Sequence, residues 1–201
     1  MEFPVHGLYA EPAKLKRYVL TGAPGAGKTA IIRQLEVDGF SVVEEAATDI
    51  IALQQAEGLE EPWLRDSFID EIAELQRTRL LHSSYWPGRV QFHDRSIFCT
   101  AALSDYLGRP RSVVLSKELE RAVAECWFEP EAFFVRSLGF VTPTAARRIS
   151  LEEAIRFERV HEEVYRECGF QIIFVPPASP SDRADQIKAF LRARVNPDTG
   201  N

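Results

Sequence analysis

The chain has 201 residues, 45% hydrophobic and 27% charged, with a formal net charge of −6. That length suits a single domain over residues 1–201 with a sizeable core, and the composition is that of an ordinary globular protein. The acidic balance argues against a dedicated nucleic-acid binder, and no apolar run approaches the length that crosses a membrane.

Met1 to Lys16 shows no clear period and reads as an arm leading into the core. Met1 to Ala13 also lacks the basic-then-apolar pattern of a signal peptide, so a cytoplasmic location is expected. The three cysteines, Cys99, Cys126 and Cys168, have no ligand-like spacing. They read as reduced, buried thiols in a reducing compartment.

Arg17 to Thr21 is an apolar run suited to a first strand. Directly after it, Gly22, Ala23, Pro24, Gly25, Ala26, Gly27, Lys28 and Thr29 fit the pattern G-x-x-x-x-G-K-[ST], and Ala30 opens a helix that runs to about Val37. The residue types suit a polyphosphate. Glycines allow positive φ and close approach of backbone N–H groups, and the helix N-terminus adds partial positive charge. Lys28 reaches the terminal phosphates, and the Thr29 hydroxyl can ligate Mg²⁺. Gly25, Gly27 and Ala30 also fit the dinucleotide fingerprint, with Glu44 or Glu45 near its acidic position. In that reading, however, three residues separate the strand from the first glycine, and Lys28 and Thr29 have no role.

Phe40 to Glu44 is a second strand, which completes a βαβ unit and implies a parallel sheet. Glu44 and Glu45 stand at its carboxyl end, the edge where open parallel sheets bind ligands. One of them can act as a general base or substrate anchor; equally, both can simply favour the N-terminus of the next helix, Ala46 to Gln55. Leu53 to Trp63 reads as a connection. Leu64 to His82 is a long helix with Phe68, Ile72 and Leu75 on its inner face.

Arg89 to His93 is a third strand ending at Asp94-Arg95-Ser96. An acid at a strand tip suits Mg²⁺ or an acceptor hydroxyl, and the forked guanidinium of Arg95 suits a phosphate. Strand alternation turns His93 away from Asp94. Helices follow over Ile97 to Leu107 and Ser112 to Trp127, then a buried strand over Ala132 to Val135. Residues 136–150 carry Arg147 and Arg148 and separate this strand from a helix over Leu151 to Cys168. They are expected to form a lid that brings positive charge over a transferring phosphate and excludes water. Alternatively, Arg147 and Arg148 pair with Glu152 and Glu153. Ser150 and Glu153 fit a capping box. Phe170 to Val175 is a fifth strand, and Ser181 is expected to cap a final helix ending at Arg194.

The Walker A loop, the Val42-Val43-Glu44-Glu45-Ala46-Ala47 segment, Phe92-His93-Asp94-Arg95-Ser96 and Phe174-Val175-Pro176 together resemble the small AAA-domain P-loop ATPases. That group is similar to the nicotinamide riboside kinase domain of NadR-type proteins and to nucleoside and nucleotide kinases. The resemblance spans about Arg17 to Leu191. It implies an α/β P-loop NTPase fold with a five-stranded parallel sheet in the order 2-3-1-4-5, helices on both faces and an arginine-bearing lid. Glu45 would match the family's acid after the second strand, and Asp94-Arg95 its Asp-Arg pair. Thr48 stands where an Arg is expected, and Ser96 where a Gly often follows, which is closer to the deoxynucleoside-kinase pattern.

The expected activity is phosphoryl transfer from ATP, with GTP an alternative donor, to a small hydroxylated, nucleoside-like acceptor. In this scheme Gly22 to Ala30 hold the nucleotide, and Thr29 and Asp94 hold Mg²⁺. Lys28, Arg95, Arg147 and Arg148 neutralise charge, while Asp94 and Glu45 compete for the role of base. The alternative is a nucleotide-dependent switch in which residues 136–150 or 53–63 are ordered for a partner protein. A nucleic-acid 5′-hydroxyl kinase is a third reading, disfavoured by the acidic charge.

Overall fold

The computed structural model describes residues 15–138 and 150–195. The predicted lid, including Arg147 and Arg148, therefore lies mostly outside the described residues. Five strands are described: β1 (Lys16–Thr21), β2 (Ser41–Val43), β3 (Val90–Asp94), β4 (Glu131–Val135) and β5 (Gln171–Val175). Seven α-helices surround them: α1 (Lys28–Val37), α2 (Ala46–Ala56), α3 (Phe68–Ser83), α4 (Ile97–Tyr106), α5 (Val113–Ala124), α6 (Leu151–Glu167) and α7 (Pro180–Val195).

The sheet has the order β2-β3-β1-β4-β5, and every pairing is parallel. Parallel strands joined by helical crossovers are covered on both faces, which is why Tyr18 to Leu20 in β1 and Ala132 to Val135 in β4 read as unbroken apolar runs. Alternation along β1 divides the core. Tyr18 and Leu20 join Phe92, Phe133 and Val135 beneath α1 and α7. Val19 and Ala132 face the opposite side, where residues of α2 to α6 such as Phe98, Leu115 and Tyr165 pack. Leu20 stands beside Asp94 in the β1–β3 register, so the carboxyl ends of the central strands open onto one edge.

Several boundaries differ from the sequence reading. The long helix begins at Phe68, after a 3-10 turn over Pro62–Leu64. The final helix is capped by Ser179, whose Oγ accepts from the Asp182 amide at 3.2 Å, and not by Ser181. Ser181 already lies within α7. The thiols are not uniformly buried: Cys99 is buried, Cys168 is intermediate and Cys126 is exposed. Cys126 adopts φ 48° just past α5, a turn position on the surface. The capping box at the start of α6 forms as expected, with the Ser150 Oγ and Glu153 carboxylate each accepting the other's amide.

Candidate active site

The glycine-rich loop leaves β1 at the carboxyl edge of the sheet. Gly22 has φ 124°, and a Cβ there would stand 2.3 Å from the Val135 carbonyl oxygen. Only glycine allows β1 to turn this close to the end of β4. Gly25 and Gly27 also take positive φ, at 80° and 87°. Gly27 is the N-cap of α1, and no side chain caps that helix. The first-turn amides, with Thr29 and Ala30 exposed beside them, thus face the loop as a donor set suited to an anion.

Lys28 is 5% exposed and donates to the carbonyls of Gly22 at 3.0 Å and Ala23 at 2.8 Å. Burial lowers its pKa to about 7; Arg95 adds to the effect, while Asp94 and Glu45 oppose it. The ammonium is held where a polyphosphate would both meet it and restore its charge.

The two acids of interest have different partners beside this loop. Asp94 is buried, and Thr29 Oγ1 donates to its Oδ2 at 3.4 Å. Glu45 instead forms an ion pair with Arg95 Nε and accepts from the Thr48 hydroxyl at 2.7 Å. Thr48, which stands where an arginine was expected, therefore serves Glu45. Glu45 occupies the N-cap of α2 but its side chain does not cap the helix. Glu44 turns outward to Arg33 at 2.8 Å. Of the adjacent glutamates, Glu45 is the one that pairs with Arg95.

Arg95 adopts φ 73°, a left-handed conformation that costs a non-glycine residue on the order of 1 kcal/mol. Its amide donates to the Leu20 carbonyl at 3.1 Å, and Nη1 contacts the Gly22 carbonyl at 3.3 Å and His161 Nε2 at 3.2 Å. Burial works against its charge, but Glu45 and Asp94 more than offset this and raise its pKa. His93 points away, as alternation requires: it packs edge-on against Phe128 and hydrogen-bonds Gln91 Oε1 at 2.8 Å. Burial, helped by Arg17, lowers its pKa to about 3.

A cavity of about 160 Å³ opens beside Glu45 and Arg95, walled by Trp63, Phe68, Ile72, Gln76, Thr100 and Phe157 among others. Gln76 is fixed within it, its Oε1 accepting from the Thr100 hydroxyl at 2.8 Å. The walls are mostly apolar and aromatic with a few placed polar groups, the character of a small-molecule site.

The sequence matches the AAA domain family over residues 17–183. The chain belongs to that family. No curated protein sequence matches it. Among solved structures, this AAA domain is similar to a deoxyadenosine kinase from M. mycoides with products dCMP and dCDP bound, at 13% identity and a TM-score of 0.60, covering 88% of this chain and 99% of that one. It is also similar to NadR in complex with NAD and AMP-PNP, at 15% identity and a TM-score of 0.64, covering 89% of this chain but 49% of that one. A third is thymidylate kinase from Candida albicans, at 10% identity and a TM-score of 0.57, covering 92% and 94%. At such identities the likeness is one of fold, and that fold is the P-loop kinase architecture.

Three residues of this AAA domain's site went unnoticed in the sequence. Gln76 follows Phe68 and Ile72 at four-residue spacing, so a polar side chain on the inner face of α3 was the available signal. His161 likewise interrupts the buried stripe of α6. Arg183 carried no signal at all. It is 2% exposed and donates to three backbone carbonyls: Ala26 in the loop at 2.6 Å, Arg136 after β4 at 3.0 Å, and Pro176 after β5 at 2.8 Å.

Proposed function

We propose that this AAA domain is an ATP- and Mg²⁺-dependent phosphotransferase acting on a small hydroxylated, nucleoside-like acceptor. The observation that carries this reading is the division of labour between the two acids: Asp94 beside Thr29, and Glu45 on the wall of the neighbouring cavity. The first pair faces the phosphate loop and the second faces room for an acceptor.

Thr29 and Asp94 supply hard oxygen ligands of the kind Mg²⁺ takes, a set that fits an ion otherwise bound by phosphate oxygens and water. Among the described residues no cluster of three acidic, His or Cys side chains could hold a metal by itself. When bound, Mg²⁺ would neutralise charge on the transferring group. The loop amides and Lys28 hold the polyphosphate. Glu45, paired with Arg95, takes the proton of the acceptor hydroxyl as the oxygen attacks. Arg95 keeps that carboxylate pointed at the cavity and adds positive charge near Gly22, beside the phosphate loop. The aromatic walls and the fixed Gln76 amide suit a planar group carrying hydrogen-bonding edges. The ligands named for the deoxyadenosine kinase and NadR structures, deoxynucleotides in one and NAD with AMP-PNP in the other, support a nucleotide donor and a nucleoside-like partner.

The test is a panel of nucleosides, nicotinamide riboside and sugars incubated with Mg·ATP. Acceptor-dependent ADP release, with a phosphorylated product seen by mass spectrometry, is expected for at least one nucleoside-like compound. ADP release at one slow rate, whatever the acceptor, would favour the switch reading instead.

A further inference from the structure

The mechanism above leaves His161 without a role, yet this imidazole is completely buried and sits directly behind Arg95. Its two ring nitrogens have opposite kinds of partner. Nδ1 lies 3.0 Å from the Phe157 carbonyl oxygen, which can only accept. Nε2 lies 3.2 Å from Arg95 Nη1, which can only donate. One protonation state satisfies both: a neutral ring with its hydrogen on Nδ1. The ring is further fixed edge-on against Phe157, at 4.3 Å between centroids.

Resting on the phosphotransferase reading, we infer that His161 is a positioning residue that orients the Arg95 guanidinium towards Glu45 as an uncharged acceptor. The choice of side chain matters. A carboxylate at this place would bind Arg95 more strongly, but it would also quench the charge that Glu45 depends on. A neutral imidazole accepts one N–H, fixes the guanidinium plane and leaves the net charge of the Arg95–Glu45 pair unchanged. The charged groups facing the ring support its neutrality. Burial acts first, Arg95 and Lys28 oppose protonation, and only Glu45 and the Phe157 carbonyl favour it, so its pKa lies well below the ordinary value.

The placement on α6 adds a connection. Glu158, one turn before His161, accepts from Arg136 Nη1 at 2.7 Å, and Glu162 pairs with the same guanidinium at 3.1 Å. Tyr165, one turn after, hydrogen-bonds Ser96 at 2.7 Å. A single helix face thus grips the end of β4, Arg95 and the residue after it.

Two measurements on the full chain test the inference. The first is two-bond ¹⁵N–¹H correlation of the wild-type histidines. His161 is expected to stay neutral and protonated on Nδ1 from about pH 5.5 to about pH 8.5, the range in which an ordinary imidazole titrates. A ring that titrates in that window, or carries its proton on Nε2, overturns the inference without any reference to turnover. The second compares H161F with H161Q. H161F is expected to lower kcat about 10- to 100-fold, the scale of a misplaced reacting group, with the KM for ATP changed less than about threefold. H161Q, whose amide oxygen can accept from Arg95, is expected to recover most of that loss. Equal activity in the two variants, or wild-type activity in H161F, overturns the inference. Should wild-type protein transfer no phosphoryl group to any acceptor, the phosphotransferase reading fails by itself, and the imidazole spectrum still decides the state of His161.

Discussion

The roles proposed for Lys28, Thr29, Asp94 and Glu45 are separable, and their variants should separate too. Asp94→Asn is expected to raise the Mg²⁺ concentration needed for half-maximal rate, because it weakens an oxygen ligand beside Thr29. Glu45→Gln is expected to lower kcat about 10²- to 10³-fold with the Mg²⁺ dependence unchanged, since it removes the proposed base on the cavity wall. Mg²⁺ titrations of initial rate distinguish the two; matching shifts in both variants would contradict the assignment. Lys28 makes a second prediction. Its pKa is lowered to about 7 from the ordinary 10.5. Between those values the free protein holds a mostly neutral amine, and a bound polyphosphate draws a proton onto it. Nucleotide binding at about pH 8.5 should therefore take up a proton, and affinity should fall as pH rises through that window. Calorimetry in buffers of differing ionisation enthalpy reads the proton directly. Lys28, Thr29 and the loop glycines were legible in the sequence because a fixed spacing encodes one local geometry. The choice between Glu44 and Glu45 was not, because it depends on Arg33 and Arg95, which approach from other segments.

The strands and helices follow from local pattern, and what joins them does not. The capping box at Ser150 and the apolar runs of β1 and β4 set their own limits from residues a few positions apart. The start of α3 slipped from Leu64 to Phe68 because Pro62 leads a separate 3-10 turn. Arg183 is the clearest long-range feature, bonding the phosphate loop, the residue after β4 and the turn after β5 from a helix 157 positions beyond Ala26. Its Met variant keeps the apolar stem but leaves three carbonyls without their donor. Arg183→Met is expected to destabilise the fold by about 1–2 kcal/mol, measured by urea unfolding, because the Ala26 carbonyl is stranded in a buried place while the part-buried Arg136 and Pro176 carbonyls can turn to water. It should also weaken nucleotide binding, since the Ala26 carbonyl is part of the loop. Unchanged stability would show that water replaces the guanidinium.

The fold gathers these parts by a general route. A parallel sheet with the phosphate-loop strand at its centre brings β3 alongside β1 and sets Asp94 level with Leu20. The crossover helices then carry Glu45, Gln76 and His161 towards the same edge. Sheet order was readable only through resemblance to the AAA-domain P-loop proteins, because strand adjacency is a long-range property that periodicity within a segment does not encode. The cavity beside Glu45 is likewise assembled from α2, α3, α4 and α6 together. Every role assigned above depends on a polyphosphate resting on the loop after β1. The most direct test is amide chemical-shift mapping during titration with magnesium and a non-hydrolysable ATP analogue, in wild-type protein and in Lys28→Ala. The largest shifts are expected at the amides of residues 23 to 29, apart from Pro24, with binding strongly weakened in the variant. Loop amides that stay unmoved at saturation, or equal affinity in the variant, would contradict the placement of the nucleotide and with it the chemistry assigned to Asp94, Glu45 and Arg95.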